Sequence, residues 1–186
     1  MPNKKSGFTI IEVVLVLAIA GLIFLMVFVA LPSLQRSQRD TQRKNDLSTL
    51  SSAMVSYSSN NNKLPSTDAA TVDTTTDTSA SNPVSGTSTG WGAFVYNYLL
   101  GGGNDEFAGP SDGYYSLDIQ KQPTAVGTEL ANSALFTTGD APDKVVIVLG
   151  ASCNGDAGIK REDRDGNRNF AIAMKLEAGG YYCLDN

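Results

Sequence analysis

The sequence predicts an α+β fold, in which a long N-terminal helix packs on a small antiparallel sheet with a disulfide-bonded C-terminal region. The helix is indicated by the uncharged apolar run Val13–Leu31 and by later apolar residues spaced three and four apart, which lie on one helical face. These later residues are Leu47, Leu50, Met54 and Tyr57. The sheet is indicated by large apolar residues at alternate positions of Phe170–Glu177, followed by the hairpin signal Gly179-Gly180.

The N-terminal apolar run is close to the length of about 20 residues that a helix needs to cross a bilayer. An ordinary secretory signal peptide has a shorter apolar core and a small-residue cleavage site after it. Lys4 and Lys5 lie on the short side of the run, and positive residues stay cytoplasmic. The sequence therefore predicts a single-pass membrane protein with its N-terminus in the cytoplasm and the rest of the chain outside.

Glu12 is the only ionisable side chain between Phe8 and Leu31. A carboxylate in hydrocarbon is costly, and such a residue is usually functional. Since no neighbouring side chain carries the opposite charge, its partner is expected from another subunit or from a charge made by processing. The alternative is an ordinary signal anchor that happens to carry a glutamate.

The segment Lys4-Lys5-Ser6-Gly7-Phe8-Thr9-Ile10-Ile11-Glu12 resembles the type III signal sequence of type IV pilins and type II secretion pseudopilins. The resemblance covers residues 1 to about 57. It implies that residues 1–7 are a leader, that a prepilin peptidase cuts between Gly7 and Phe8, and that Phe8 is then N-methylated. The new amine of Phe8 would pair with Glu12 of a neighbouring subunit, since leaving either charge alone and buried is strongly destabilising.

The resemblance also implies the type IV pilin fold. Residues 8–31 would form the transmembrane and filament-core helix, 32–60 its amphipathic continuation, and 61–186 a globular head. Gly21 and Pro32 bracket a stretch that can lose helical structure in assembled filaments of this family. Both residues lower helix stability, and proline also removes a backbone donor, so a break or kink is expected there.

Four basic residues follow the apolar run: Arg36, Arg39, Arg43 and Lys44. We interpret them as a solvated or intersubunit face with Asp40 and Asp46 as local partners, of the kind that contributes little to stability. Nucleic-acid binding is the alternative. Acidic side chains outnumber basic ones two to one from Leu47 onward, which would repel phosphates, so no direct nucleic-acid partner is expected.

The head begins with a hydroxyl-rich stretch, residues 66–90, which has too few large apolar residues to fold alone. We predict an exposed loop, with a glycan-bearing segment as the alternative. Trp91–Leu100 has helical spacing, and its aromatic stripe is interpreted as core rather than as a binding platform. Tyr114–Ile119 and the β-branched run Lys144–Leu149 are predicted strands, the latter opening an antiparallel region over residues 144–186. Residues 120–143 are left unassigned.

Cys153 and Cys183 are the chain's two cysteines. Outside the cytoplasm, such a pair favours a disulfide, which would close a loop of about 30 residues and stabilise the head by roughly 3–4 kcal/mol. Metal ligation and redox chemistry are the alternatives. Zinc would need further ligands, and the chain contains no histidine.

Residues 163–169 offer oxygen ligands at alternate positions, but they lack the spacing of a calcium-binding EF-hand loop. A polar turn is therefore favoured over a calcium site. Catalytic and phosphate-binding motifs are missing from the sequence, so no enzyme activity, cofactor or metal is expected.

The resemblance implies a structural subunit, preferably a major pilin, that polymerises into a type IV pilus supporting adhesion, twitching or DNA uptake. Its partners would be copies of itself, the prepilin peptidase, and indirectly the assembly platform and its ATPases. The alternatives are a minor pilin or pseudopilin, and a monomeric membrane-anchored surface binding module.

Overall fold

A computed structural model describes residues 7–65, 70–111, 113–120, 127–137, 139–140, 143–155, 158–161 and 168–186. The chain divides into two compact units, residues 1–38 and 39–186. The boundary between the two units falls inside the long helix, and the division into residues 8–31, 32–60 and 61–186 stays a prediction.

Helix α1 runs without interruption over Ile10–Asn61. Gly21 and Pro32 both lie inside this helix in the single chain, and a helix break at either residue in the assembled filament stays a prediction. The backbone accommodates Pro32 between well-formed turns, and Ser33 Oγ donates to the carbonyl of Ala30 at 2.9 Å. A kink, and unwinding on assembly, stay predictions.

The described residues of the second unit form two sheets. The strands are β1 Ala70–Asp73, β2 Ser116–Gln120, β3 Glu129–Ala131, β4 Lys144–Leu149, β5 Ala151–Cys153, β6 Gly158–Arg161, β7 Phe170–Lys175 and β8 Tyr181–Asp185. The five-stranded sheet has the order β1-β2-β4-β7-β8, and the three-stranded sheet has the order β3-β6-β5. Every pair in these sheets is antiparallel except β2 with β4, which is parallel.

Short helical segments connect the strands. Helix α2, Gly90–Phe94, continues into a π-helical turn, Val95–Leu99, which confirms the predicted helix over Trp91–Leu100. Trp91 and Phe94 are buried with their ring centroids 5.6 Å apart, so the aromatic stripe belongs to the core. Helix α3, Asn132–Leu135, lies in the region that the sequence left unassigned.

The central strands β4 and β7 are buried on both faces. Alternate residues of β4, such as Val145 and Ile147, join a core cluster with the helix residues Leu47, Leu50 and Met54. The residues between them join a second cluster on the other face, which the three-stranded sheet covers. This two-sided burial explains why the two strands contain so few polar residues.

One part of the stretch 66–90, predicted to be an exposed loop, is a strand instead, whereas most side chains of residues 75–90 are exposed. Strand β1 pairs with β2, and Val72 and Asp73 are buried. The backbone N–H of Asn82 donates to Asp73 Oδ2 at 2.6 Å, and Thr74 Oγ1 donates to the carbonyl of Phe107 at 2.9 Å. Polar residues therefore enter the core here because each one has a hydrogen-bond partner, which removes the cost of burial.

The disulfide between Cys153 and Cys183 is confirmed, with the Cα atoms 5.9 Å apart. It joins β5 of the small sheet to β8 at the edge of the large sheet. The predicted hairpin at Gly179-Gly180 is also confirmed, since both glycines have positive φ and the backbone N–H of Leu176 donates to the carbonyl of Gly180 at 3.1 Å.

Candidate functional site

The residues that the sequence predicts to take part in processing and assembly lie at or just before the N-terminal end of α1. Gly7, Phe8 and Thr9 precede the helix in non-helical conformation, and the helix begins at Ile10. Phe8 is 91% exposed, and a Cβ added to Gly7 would meet no described atom within 4 Å. The bond between Gly7 and Phe8 is therefore open to solvent. The basic leader residues Lys4 and Lys5 lie outside the described residues.

Glu12 is held by Thr9. The backbone N–H of Thr9 donates to Glu12 Oε2 at 2.9 Å, and Thr9 Oγ1 donates to the same oxygen at 2.8 Å. The backbone N–H of Glu12 approaches Thr9 Oγ1 at 3.4 Å. This is a capping box, in which an N-cap threonine and a glutamate three residues later satisfy each other's backbone donors.

The capping box was not among the features predicted from the sequence. Thr9 supplies two hydrogen bonds but no charge, so the expectation that the opposite charge comes from another subunit or from processing stays a prediction. The signal was present as Thr9-x-x-Glu12 before an apolar run, which is the usual pattern of a helix start. Both bonds go to Oε2, and the described residues offer no donor to Oε1, so half of the carboxylate is open.

Apolar side chains are exposed along the described part of the first unit. Leu17, Phe24 and Leu25, for example, are each 66% exposed. Among the described residues, α1 is the helix that is long and apolar enough to span a membrane. A surface of this kind is stable only when lipid or other protein covers it.

A second polar cluster was misread from the sequence. Arg43 is fully buried, not solvated, and its guanidinium contacts Asp143 at 2.8 Å and Glu177 at 2.8 Å. Arg39 is more exposed and also contacts Glu177, with 2.6 Å between Nη2 and Oε2. Asp40 was correctly expected beside Arg43, at 3.2 Å. The distant partners could not be predicted from the helix sequence, because they lie 100 or more residues further along the chain.

In this cluster, burial and hydrogen bonding shift the pKa values of the charged groups in opposite directions. Burial lowers the pKa of Arg43, but hydrogen bonds to Asp143 and Glu177 outweigh it, so the pKa is raised. Hydrogen bonds from Arg39 hold the pKa of Glu177 at about 2. Burial raises the pKa of Asp46, although Tyr115 Oη donates to Asp46 Oδ2 at 2.6 Å. The other basic residue of this helix turn, Lys44, lies 5.4 Å from the ring centre of Tyr182.

The polar turn that the sequence favours over a calcium site at residues 163–169 cannot be followed in the structure. Residues 162–167 lie outside the described part of the chain, while Arg168 Nη2 donates to Asn62 Oδ1 at 2.8 Å. Within the described residues, no group of three or more His, Cys, Asp or Glu side chains is arranged to hold a metal ion.

Comparison with known families bears on the N-terminal segment. Residues 2–28 match the family model described as the prokaryotic N-terminal methylation motif. The chain carries the type IV prepilin signal. The match includes the leader, the proposed cleavage site, the Thr9–Glu12 capping box and most of the apolar run.

No curated protein and no solved structure matches the chain. The prepilin signal and the exposed apolar helix fit a subunit that is anchored in the membrane before assembly and carried on the cell surface after processing. They support a secreted subunit of the pilin or pseudopilin type.

Proposed function

We propose that this prepilin is a major type IV pilin, a structural subunit that polymerises through its N-terminal helix into a surface filament. The observation that carries the proposal is the prepilin signal joined to a helix whose apolar side chains are exposed along the first unit. The exposed apolar side chains of that helix must be kept from water. Once the subunit leaves the membrane, copies of the same helix packed in a bundle would bury them.

Processing is proposed between Gly7 and Phe8, followed by methylation of the Phe8 amine. Its support is that this bond precedes the helix and is solvent-exposed. A peptidase binds its substrate as an extended segment. If helix α1 began before Phe8, the bond between Gly7 and Phe8 would lie in the helix and would not be extended. Cleavage leaves Thr9, the N-cap, in place, so the mature chain keeps its helix start.

Assembly would pair the Phe8 amine of one subunit with Glu12 of the next. The open Oε1 atom supports this step, because the carboxylate can accept a charged donor without giving up the two bonds from Thr9. Each copy would then contribute one cation and one anion, and neither would be buried alone. The pairing would select subunits that carry both groups.

The partners of this subunit would be copies of itself, the prepilin peptidase, and the assembly platform with its ATPases. Adhesion, twitching and DNA uptake would be activities of the whole filament. Its role would be mechanical rather than catalytic, and direct contact with nucleic acid is not part of the proposal.

The test is the intact mass of the protein in material sheared from the cell surface. We expect a chain that begins at Phe8, with one added methyl group and two hydrogens fewer for the disulfide. A processed chain that never appears in sheared material would favour a pseudopilin or minor pilin, which share the signal. A chain that stays in the membrane with residues 1–7 attached would overturn the proposal in favour of an anchored binding module.

A further inference from the structure

A buried ionic cluster joins helix α1 to two other parts of the second unit. We call it the Arg43 cluster. Its members are Arg39, Asp40, Arg43, Ser111, Asp143 and Glu177. Asp40, Arg43 and Asp143 are each at most 5% exposed, which is rare for charged residues unless they are paired.

Arg43 uses every donor of its guanidinium group. Nε and Nη2 both donate to Asp143 Oδ1, at 3.0 and 2.8 Å, and Nη2 also donates to Ser111 Oγ at 2.8 Å. Nη1 contacts Asp40 Oδ1 at 3.2 Å and Glu177 Oε1 at 2.8 Å. An arginine has five N–H groups in a rigid planar arrangement, so this set of acceptors fits one position of the helix.

Asp40 attaches the turn between β7 and β8 to the same part of the helix. The backbone N–H of Glu177 donates to Asp40 Oδ1 and that of Ala178 donates to Oδ2, both at 2.9 Å. Space for the cluster is also built into the fold. A Cβ on Gly109 would lie 2.7 Å from Asp143 Oδ2, so a larger residue there would displace the carboxylate.

Such a cluster is a poor source of net stability. Removing charges from water costs about as much as their attraction returns, and apolar replacements of similar size are often as stable. Loss of one partner is nevertheless harmful, because the other charge is left buried alone. Where buried ionic groups do have a distinct effect, fixing the register of packed elements is the best-attested one.

The apolar face of α1 does not define its own position. Its buried residues Leu47, Leu50 and Met54, with the half-buried Tyr57, recur every three or four positions. A shift of the helix by one turn would again present large apolar side chains to the sheet at several of these points. The same shift would move Arg43 by about 5 Å along the axis, away from all of its acceptors.

We propose that the Arg43 cluster sets the register in which the helix docks on the large sheet and on the β7–β8 turn. The apolar face supplies the contact, and the cluster excludes the shifted arrangements. This role concerns the folding of the second unit and does not depend on filament assembly.

The experiment compares two variants of the full-length chain in detergent. Arg43→Met alone leaves Asp143 buried without its cation, and we expect the unfolding equilibrium constant to rise roughly a hundredfold or more. The second variant combines Arg43→Met, Asp143→Asn and Glu177→Gln. It removes the charges of these three residues, leaves the opposite charges of Arg39 and Asp40 so that the cluster is neutral overall, and keeps an acceptor for the backbone N–H of Ser111, 2.8 Å from Asp143 Oδ2.

For this neutral triple variant we expect an unfolding constant within about tenfold of the parent's but more than one docked form. The indole N–H signal of Trp91 reports the number of docked forms, because Trp91 is the chain's only tryptophan and lies in the core with Leu47 and Leu50. The parent should give one indole N–H signal in a ¹⁵N-labelled sample, and the neutral variant two or more.

The matched control is the partly exposed ion cluster on the other face of the sheet. Lys144 Nζ lies 3.1 Å from Asp118 and 3.2 Å from Asp140, and the variant Lys144→Met, Asp118→Asn, Asp140→Asn should keep one Trp91 signal. A single, unshifted signal in the neutral Arg43 variant would overturn the proposal. So would a neutral variant as unstable as Arg43→Met alone, because the cluster would then be a plain source of stability.

Discussion

The apolar helix of the first unit and the central strands of the second unit are built from similar residues but have opposite surroundings. Val16 in the helix is 63% exposed, whereas Val146 in β4 is fully buried. The strands are covered by the chain's own helix on one face and its small sheet on the other. Among the described residues of its own unit, the N-terminal helix has no such cover.

An apolar run in the sequence predicts that its side chains are covered, but it does not indicate whether lipid, another subunit or the same chain covers them. In the second unit, the free energy of apolar burial goes into folding. In the first unit the same free energy is left for lipid or for other subunits. Substitutions in the two regions should therefore affect different measurements.

The largest effect is expected from Glu12→Ala. The Phe8 amine of a neighbouring subunit would be buried without its partner, at a cost of about 3–5 kcal/mol for each interface. We expect sheared surface filaments to be lost while the amount of protein in the membrane stays normal. Glu12→Gln is the control that keeps the shape and the hydrogen bonds from Thr9. Normal filaments in Glu12→Ala cells would contradict a role for this carboxylate in assembly.

Two phenylalanines allow the two regions to be compared directly. Phe94 is fully buried and contacts the rings of Tyr57 and Trp91, so Phe94→Ala should lower the free energy of unfolding by about 3–5 kcal/mol. Phe24 is 66% exposed, and Phe24→Ala should change it by less than about 0.5 kcal/mol. Denaturation of the full-length protein, followed by Trp91 fluorescence, measures both. Equal losses would mean that the first unit is covered by the second.

A smaller effect is expected from acid. Glu177 has its pKa lowered from 4.5 to about 2, so its pairing with Arg39 and Arg43 stabilises the folded state above pH 4.5. This contribution, about 3 kcal/mol, is lost as the pH falls from about 4.5 to about 2. The free energy of unfolding should fall across this window in the parent and more weakly in Glu177→Gln. An unchanged slope in that variant would show that other groups dominate the acid response.

The smallest effect is expected at the helix start. Thr9→Val removes the hydroxyl that caps α1 and should destabilise the first turn by about 1 kcal/mol. Hydrogen exchange at the amides of residues 10–13 should become faster, while the head unfolds as before. Thr9→Ser keeps the hydroxyl and should behave like the parent. Equal exchange rates in Thr9→Val and the parent would mean that the cap does not hold the helix end.

Features that depend on neighbouring residues could be predicted from the sequence. The strand Phe170–Lys175 could be predicted because large apolar residues occupy alternate positions. The hairpin could be predicted because glycine readily adopts the positive φ that both hairpin glycines have. The capping box was also readable as Thr9-x-x-Glu12, although its significance for Glu12 was missed. The strand β1 was hidden because Ala70–Asp73 lies in a hydroxyl-rich stretch, and its burial depends on partners such as Asn82 and β2.

The long helix and the C-terminal strands could be predicted from local periodicity, and the disulfide from the presence of only two cysteines. The prepilin signal and the pilin fold were predicted from the resemblance of residues 1 to about 57 to type IV pilins and pseudopilins. Only the tertiary structure decided that Arg43 is buried, that β2 and β4 run parallel, and that the disulfide joins two sheets. The reason is that burial of a charge becomes tolerable only where distant segments bring acceptors to it, and no local pattern records which segments those will be.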